Sequence, residues 1–436
     1  MRAFVSASEV NHLNIFDLAN LDAPPQVVSL NGEDPRALAV SNDGTTVYAA
    51  IFESSNDTRL LNNEVVRNDP NQDDNDVAIV NANNLNVSYQ RSLMNMVMGL
   101  AVNPSSGQVS AVGTQSLNHI AQEPNLNGIF VQVHMANFEA SGSAANIVDL
   151  NPHLDYNTAS VPLAQRIQSI GDPRAIAFND DGSERYIVGM GSNNLIVADA
   201  NGTRLGLVDL GSGPTGIVVN SGAGLAYVVN RFSGSVSVVD LAEREETGVY
   251  DYYDPTPSRI NAGRVFIYNT HVSSGLGQAA CASCHVDART DRLGWDLGDP
   301  NGENVTVPQG SNNTGLATGG SFSVSPLKGV MVTQTLQDIM EHPNLHWRGD
   351  KEDINGFNAT FTNLMGADAQ MSQAAMDTMA DYLTTIWFPP NPYRGIDDSR
   401  PRTVTLPDGT SVTARASLNG LIGDNNNNNN CLRCHT

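Results

Sequence analysis

The chain has few basic residues, no long apolar run and only four cysteines. It carries 23 Lys and Arg against 46 Asp and Glu, a formal net charge of −23. Such an excess of negative charge argues against nucleic acid and anionic membrane surfaces as partners. No stretch reaches the roughly 18 apolar residues of a membrane-spanning helix, so we expect a protein that does not span a membrane.

All four cysteines belong to two C-x-x-C-H motifs, at residues 281–285 and 431–435. In this motif two thiols can form thioethers with one haem, and the histidine becomes the proximal iron ligand. A redox dithiol or a shared zinc ion is the alternative, but zinc fits poorly because each motif has its own histidine and the two lie far apart. We therefore predict two covalently attached haem c groups. The predicted attachment and ligand residues are Cys281, Cys284, His285, Cys431, Cys434 and His435.

A strand–turn–strand pattern recurs in the first 250 residues. Copies begin at Asp34, Asp172 and Gly213, and a weaker copy begins at Gly99. Alternating apolar residues around Asp-Gly-type turns predict β-hairpins. Because one such unit cannot bury its own faces, the units must stack, as the blades of a β-propeller do. We predict about five units, the first starting in mid-unit, with long loops at residues 62–76 and 117–158.

An acidic run at residues 69–76 (DPNQDDND) offers hard oxygen ligands, so Ca²⁺ binding is one interpretation. A solvated loop is the alternative, and it is the one we favour.

The strings at residues 227–230 (YVVN) and 235–240 (SVSVVD) resemble the YVTN family of propeller repeats. Complete rings of that family have more blades, so the resemblance implies an incomplete propeller. Residues 263–390 resemble the haem part of bacterial proteins that join such a propeller to a cytochrome c domain. More distantly, they are similar to di-haem cytochrome c peroxidases and the MauG group.

Together these patterns predict a multidomain chain. An all-β propeller of YVTN-like blades at residues 1–250 is followed by a linker at 251–262. A mostly α-helical c-type cytochrome domain is expected at 263–395, with a helix near residues 371–387. Residues 396–436 would begin a second haem domain that we expect to be truncated, because the sequence ends one residue after His435.

The resemblance to the peroxidases implies roles for two further residues. Trp347 matches a tryptophan that lies between the two haems of that family, which implies an inter-haem electron relay. A core tryptophan capping the first haem pocket is the alternative. That family carries Trp-Asp-Gly-Arg at this place, whereas this sequence reads Trp347-Arg348-Gly349-Asp350, with the Arg and the Asp exchanged. An ion pair between Arg348 and Asp350, or a bond from Arg348 to a haem propionate, could survive the exchange. Gln370 stands near the family's catalytic glutamate and cannot shuttle a proton, although Asp368 is close by.

The sixth ligand of the first haem must be a residue with a lone pair. The candidates are His342, His346, Met331, Met340 and Met365. His346 is the best placed of them and Met365 is a weaker choice, while an open site is the third alternative. A filled site would favour electron transfer alone, and an open one would favour chemistry with peroxide.

These observations predict an exported di-haem cytochrome that transfers electrons and uses its propeller as a docking platform. Its partner would be a redox protein or a small electron donor or acceptor. The alternatives are a di-haem peroxidase or MauG-like oxidase, and a propeller binding module wired to a redox chain. Since haem c is attached outside the cytoplasm, we expect a periplasmic or extracellular location, although the sequence shows no signal peptide at its start.

Overall fold

The structure is a computed structural model. The described residues are 1–62, 64–67, 74–140, 144–307, 322–341, 344–389, 403–405 and 409–413.

Five antiparallel sheets follow one another from residue 2 to residue 251, one of three strands and four of four strands. In chain order their strands are β1 (Arg2–Ala7), β2 (His12–Asp17), β3 (Gln26–Ser29), β4 (Glu33–Val40), β5 (Thr46–Glu53), β6 (Thr58–Leu61), β7 (Glu64–Arg67), β8 (Asn75–Asn81), β9 (Val87–Arg91), β10 (Met96–Val102), β11 (Val109–Ser116), β12 (Val131–Phe138), β13 (Asn146–Asp149), β14 (Pro173–Phe178), β15 (Glu184–Gly189), β16 (Asn194–Asp199), β17 (Arg204–Asp209), β18 (Pro214–Asn220), β19 (Leu225–Asn230), β20 (Ser235–Asp240) and β21 (Glu245–Asp251). Sheets 1 to 5 start at β1, β4, β10, β14 and β18, and β6 and β7 form a separate hairpin inserted in sheet 2.

The first strands of successive sheets pack against one another, from β1 through β4, β10 and β14 to β18. Buried apolar clusters fill the space between each pair of neighbouring sheets. Sheets that pack face to face along their innermost strands are typical of a β-propeller. The predicted propeller-like arrangement is therefore present in the described residues.

The predicted hairpins are confirmed, and their turns explain why they form. Between β4 and β5, the Asp43 carboxylate accepts hydrogen bonds from Ser41 Oγ (2.7 Å) and Thr45 N (3.0 Å). Gly44 follows with φ +71°, and Gly182 takes the same φ at the equivalent turn of sheet 4. A left-handed backbone is easiest for glycine, so the Asp-Gly pair fixes the place where the chain reverses.

The prediction of one long loop over residues 117–158 is wrong. Residues Val131–Phe138 and Asn146–Asp149 are the third and fourth strands of sheet 3, paired with β11 and with each other. Within β12 the residues Val131, Val133 and Met135 are all buried, so the alternation of a half-buried strand is present in the sequence.

Beyond sheet 5 the chain forms short helices, short strands and loops. The helices of the described residues are α1 (Glu123–Leu126), α2 (Leu163–Arg166), α3 (Ser258–Tyr268), α4 (Thr270–Ser273), α5 (Asn358–Asn363) and α6 (Gln373–Leu383). The 3₁₀ turns are Ser8–Val10, Ser221–Ala223, Cys281–Ser283, Val286–Ala288, Ile339–Glu341 and Ile354–Phe357. The remaining strands are β22 (Gly294–Trp295), β23 (Val305–Val307), β24 (Phe322–Val324), β25 (Met331–Val332), β26 (Thr403–Thr405) and β27 (Ser411–Thr413).

The region after the propeller is less helical than the sequence predicted. Between residues 263 and 389 most described residues lie in loops, turns and short strands. The helix predicted near residues 371–387 is present as α6, which packs closely on α3. Gly263 permits this approach, since a Cβ there would lie 2.2 Å from the Cβ of Tyr382. Among the described residues, no helix is both long and apolar enough to cross a membrane.

Candidate functional site

One cavity of about 330 Å³ collects the residues of the first C-x-x-C-H motif. Cys281, Cys284 and His285 all lie on its wall. The motif begins in a 3₁₀ turn in which the His285 amide donates to the Cys281 carbonyl at 3.0 Å. Ser283 Oγ accepts the Ala280 amide at 2.9 Å and closes the turn from the other side. The turn therefore brings both sulfurs and the imidazole to one surface.

The His285 ring is fixed through one nitrogen. Nδ1 lies 2.6 Å from the carbonyl oxygen of Gln334. Because a carbonyl only accepts, Nδ1 carries the proton and donates, and the lone pair of the neutral ring is on Nε2. Burial lowers the pKa of His285, which favours this neutral form, although the bond to Gln334 opposes the shift. A neutral imidazole whose Nδ1 donates to a backbone carbonyl is the usual arrangement of a metal-binding histidine.

The two thiols are held in the protonated form. Burial raises the pKa of Cys281 to about 11 and also raises that of Cys284. Neither sulfur is in a disulfide. Reactive redox cysteines have lowered pKa values, so this environment does not favour the redox-dithiol alternative. In the described part of the chain, no group of three or more His, Cys, Asp or Glu side chains is arranged to hold a metal ion.

Both leading candidates for the sixth ligand line the same cavity. Met365 is buried, and His346 lies in the wall with its ring edge-on to Phe357, the ring centroids 4.6 Å apart. The Asp350 carboxylate is 3.0 Å from His346 Nδ1 and orients the ring. Met331 also lines the cavity, whereas His342 is outside the described residues.

The ion pair predicted between Arg348 and Asp350 is present. Arg348 Nη2 donates to Asp350 Oδ2 at 3.1 Å, so the exchange of these two residues preserves the pairing as predicted. Although burial opposes it, the contacts with His346 and Arg348 hold the pKa of Asp350 below its usual range. Arg348 Nε is buried in the cavity wall without a hydrogen-bond partner. Trp347 lines the cavity but is 55% exposed, so it is not a core residue, and its Nε1 donates to the Val332 carbonyl at 2.7 Å. A cap over the first haem pocket and an inter-haem relay both stay predictions.

Gln370 does not belong to this site. Its side chain is exposed and does not line the cavity. Asp368 also lies elsewhere, with its carboxylate bonded to Ser160 Oγ and Arg166 Nη2 at 2.7 Å each. The catalytic position inferred from the peroxidases is therefore not at the cavity in this chain.

Several cavity residues had no signal in the sequence. Glu123 enters from the propeller loop before β12, and burial raises its pKa although Lys328 opposes the shift. Lys328 and Lys351 lie with Arg348 on the same wall, a cluster of cations in a strongly acidic chain. Trp295 lines the same cavity and is buried, and its Nε1 donates to Asp291 at 2.9 Å. Only the rarity of basic residues could have drawn attention to the cluster.

The other predicted site residues have different outcomes. The second motif, with Cys431, Cys434 and His435, lies outside the described residues. Of the acidic run, Asp74 and Asp76 are described and both are buried, so the solvated-loop interpretation is wrong for these two. Burial and the charge of Asp57 raise the pKa of Asp74 to about 7.

Comparisons with known proteins give similarity of structure alone. No family model matches the chain, and no curated protein matches it. Hydrazine synthase of Kuenenia stuttgartiensis is 15% identical, with a TM-score of 0.43, over 55% of this chain and 67% of that one. A functionally unknown protein of Desulfotomaculum acetoxidans is 13% identical, with a TM-score of 0.39, over 58% and 67%. A chain of the nidogen/laminin complex is 13% identical, with a TM-score of 0.36, over 58% and 79%. At these TM-scores none of them bears on what this chain binds.

Proposed function

We propose that the chain is an exported di-haem c-type cytochrome that transfers electrons, with its propeller as the docking platform. The observation that carries this proposal is the shared wall of Cys281, Cys284 and His285, with His285 Nδ1 committed to the Gln334 carbonyl. The two sulfurs would hold a haem through thioethers, and Nε2 of His285 would bind its iron. When bound, the haem would supply a one-electron iron couple.

The rest of the cavity suits such a group. Its walls are mostly apolar, which would exclude water from a macrocycle and tune the redox potential. The apolar wall residues include Phe130, Trp295, Leu297, Phe361, Met379 and Leu383. Lys328, Arg348 and Lys351 offer positive charge for carboxylates such as haem propionates, and the unpartnered Nε of Arg348 is a donor for one of them.

His346 is the residue we propose for the sixth position, with Met365 second. The Asp350 carboxylate fixes the His346 ring through Nδ1, as carboxylates behind metal-binding histidines do. Replacing His346 by Gly is expected to change the ligand-field bands of the first haem. If the spectrum changes with Met365→Ala and stays the same with His346→Gly, the order of the two candidates is reversed.

Trp347 remains the proposed relay because it lines the cavity and is also exposed. Trp347→Phe is expected to slow electron passage between the haems, or from the first haem to a partner, while haem content stays the same. Trp387→Phe is the matched control, since Trp387 is 59% exposed and does not line the cavity. Equal rates in the two variants would remove the relay from the proposal.

The test of the proposal is the mass and spectrum of the chain produced with a haem-attachment system. We expect an added mass of one haem on a fragment containing residues 281–285, and its loss in Cys281→Ala/Cys284→Ala. Low-spin optical and magnetic spectra in both oxidation states would support electron transfer. A chain of unmodified mass with both thiols free would contradict the proposal.

A peroxide-reducing enzyme is the second candidate, and Glu123 is the observation that favours it. A cavity-lining carboxyl group whose pKa is raised by burial is suited to hold and deliver a proton. The two candidates differ in the resting iron, because a high-spin haem that reacts with peroxide requires an open sixth position.

A further inference from the structure

Two arginines of the propeller converge on one carboxylate that follows the first C-x-x-C-H motif. Asp287 is the second residue after His285, and its Oδ1 accepts from Arg174 Nη2 at 3.0 Å. Its Oδ2 forms a short ion pair with Arg36 Nη1. Arg36 belongs to sheet 2 and Arg174 to sheet 4, so the carboxylate joins two separate repeats.

Each of the two arginines also pairs with a second carboxylate, which holds it in position beside Asp287. Each comes from an Asp-Pro-Arg word and pairs with the aspartate of its own word. Arg36 Nε donates to Asp34 at 3.0 Å and Arg174 Nε donates to Asp172 at 2.8 Å. The third copy of the word reads Gly213-Pro214-Thr215 and has no arginine. The two arginines therefore belong to the repeats whose first strands, β4 and β14, contact the segment that follows the motif.

The neighbouring residue anchors the same segment by apolar contact. Val286 is buried in a cluster with Phe52, Met96 and Met98, which come from sheets 2 and 3. The guanidinium of Arg36 stacks over the Phe52 ring, 3.6 Å from its centroid. Asp287 and Ala288 have φ of +51° and +62°, a left-handed conformation that non-glycine residues adopt only when their surroundings enforce it.

We propose that Asp287 is a positioning residue of the haem site, through which the propeller fixes the backbone that carries His285. This inference rests on the proposed function of His285 as an iron ligand. His285 is then fixed at two points. Its Nδ1 is held by the Gln334 carbonyl, and its backbone is held through the ion pairs of Asp287 with the two arginines. The propeller then contributes to the redox site. A substitution at Asp287 is therefore expected to change the reduction potential of the iron without removing any residue that contacts the haem.

If Asp287 only held the two regions together, removing any other ion pair between the propeller and the later region would have the same effect on the haem site. Arg166–Asp368 is such a pair, with Nη2 and Oδ2 at 2.7 Å, and neither residue lines the cavity. Asp368→Asn is therefore the matched control for Asp287→Asn. Asp287→Glu, which keeps the charge, is the conservative rescue.

The experiment measures the reduction potential and magnetic spectrum of the haem-loaded full chain in all three variants. For Asp287→Asn we expect unchanged haem mass and at least a threefold change in the reduction equilibrium constant, about 30 mV at 59 mV per tenfold. Asp368→Asn should leave the potential unchanged, and Asp287→Glu should restore most of it. Equal potentials in Asp287→Asn and Asp368→Asn would overturn the inference.

A second readout does not need the cofactor. In the haem-free Cys281→Ala/Cys284→Ala chain, we expect faster amide hydrogen exchange at residues 284–290 when Asp287→Asn is added than when Asp368→Asn is added. Equal exchange would overturn the inference there too. If no variant acquires haem mass, the proposed function fails, and the exchange measurement still decides whether Asp287 positions the segment.

Discussion

The propeller and the region after it are stabilised in different ways. Each sheet pairs strands that are near in sequence, and apolar clusters bury the faces that lie between neighbouring sheets. The cavity is walled by residues from 123 to 383, which arrive from a propeller loop, the motif, an irregular segment and the helices α3, α5 and α6. Local pairing can specify the first region strand by strand, whereas the second exists only when distant segments have assembled.

This difference in assembly corresponds to different uses of charged side chains in the two regions. In the propeller, aspartates such as Asp43 and Asp199 mainly close turns by accepting nearby amides. At the junction and around the cavity, charged groups bridge distant segments, as Arg292 does with Glu33 at 3.1 Å. A substitution in one region should therefore destabilise that region alone, unless the ion pairs of Asp287 couple the unfolding of the two regions.

Ile187→Ala is expected to have the largest effect on stability. Ile187 is fully buried between sheets 3 and 4, so the truncation should cost about 2–5 kcal/mol of unfolding free energy. Val218→Ala, at a position 66% exposed, is the control and should cost less than about 0.5 kcal/mol.

Two probes make this variant a test of coupling. Circular dichroism follows the sheets, while the chain's three tryptophans, Trp295, Trp347 and Trp387, all report on the later region. We expect both midpoints to fall together, because the Asp287 junction joins the regions. A fall seen by circular dichroism alone would show that the two unfold independently.

Gly263→Ala should disturb the later region with a smaller cost, about 1–3 kcal/mol. The new methyl would lie 2.2 Å from Tyr382 Cβ and would force α3 and α6 apart. Gly216→Ala is the matched control, since a Cβ at that position meets nothing within 4 Å. Tryptophan fluorescence during denaturation measures the difference, and equal midpoints would contradict the close packing of the helices.

The hairpins of the propeller could be predicted because their signals are local. An apolar strand, an Asp-Gly turn and a second strand stand within about fifteen residues of each other, as from Asp34 to Ala50. The missed strand Val131–Phe138 had the same alternation, but it follows a segment that leaves the sheet to form α1 and part of the cavity wall. Sequence alone did not separate this excursion from the strand that follows it.

For the candidate site, the motif predicted which three residues share a wall, because C-x-x-C-H is short enough for one turn to hold it. The partners of that wall could not be predicted in the same way. Gln334 acts through its backbone carbonyl, and Glu123 and Lys328 are separated by 205 positions in the sequence. Gln370 was chosen by a resemblance of spacing, and spacing outside a motif does not fix distance in space.

Asp74→Asn should stabilise the propeller in a pH-dependent way. The ordinary pKa near 4 applies to the unfolded chain, and burial together with Asp57 raises the folded value to about 7. The folded state thus binds more protons, so stability is lost as pH rises from about 4 through 7. We expect a gain of at least about 1 kcal/mol at pH 8, roughly one pKa unit, and little change at pH 4.

The unfolding midpoint at the two pH values checks this expectation. A gain of the same size at pH 4 and pH 8 would contradict the buried-carboxylate explanation. The same variant tests the calcium interpretation of the acidic run. Stabilisation by added Ca²⁺ in the original chain, lost in Asp74→Asn, would show that this carboxylate binds the ion.

Gln370→Glu should have the smallest effect. The side chain is exposed and outside the cavity, so unfolding free energy should change by less than about 0.5 kcal/mol. Any reaction of the haem-loaded chain with peroxide should also be unchanged, although the substitution introduces a carboxyl group at residue 370. Glu123→Gln is the comparison, because it removes the carboxyl group that does line the cavity. Glu123→Gln should slow a peroxide reaction of the haem-loaded chain by about 10²-fold or more. Faster peroxide turnover in Gln370→Glu would contradict the placement of residue 370 outside the cavity.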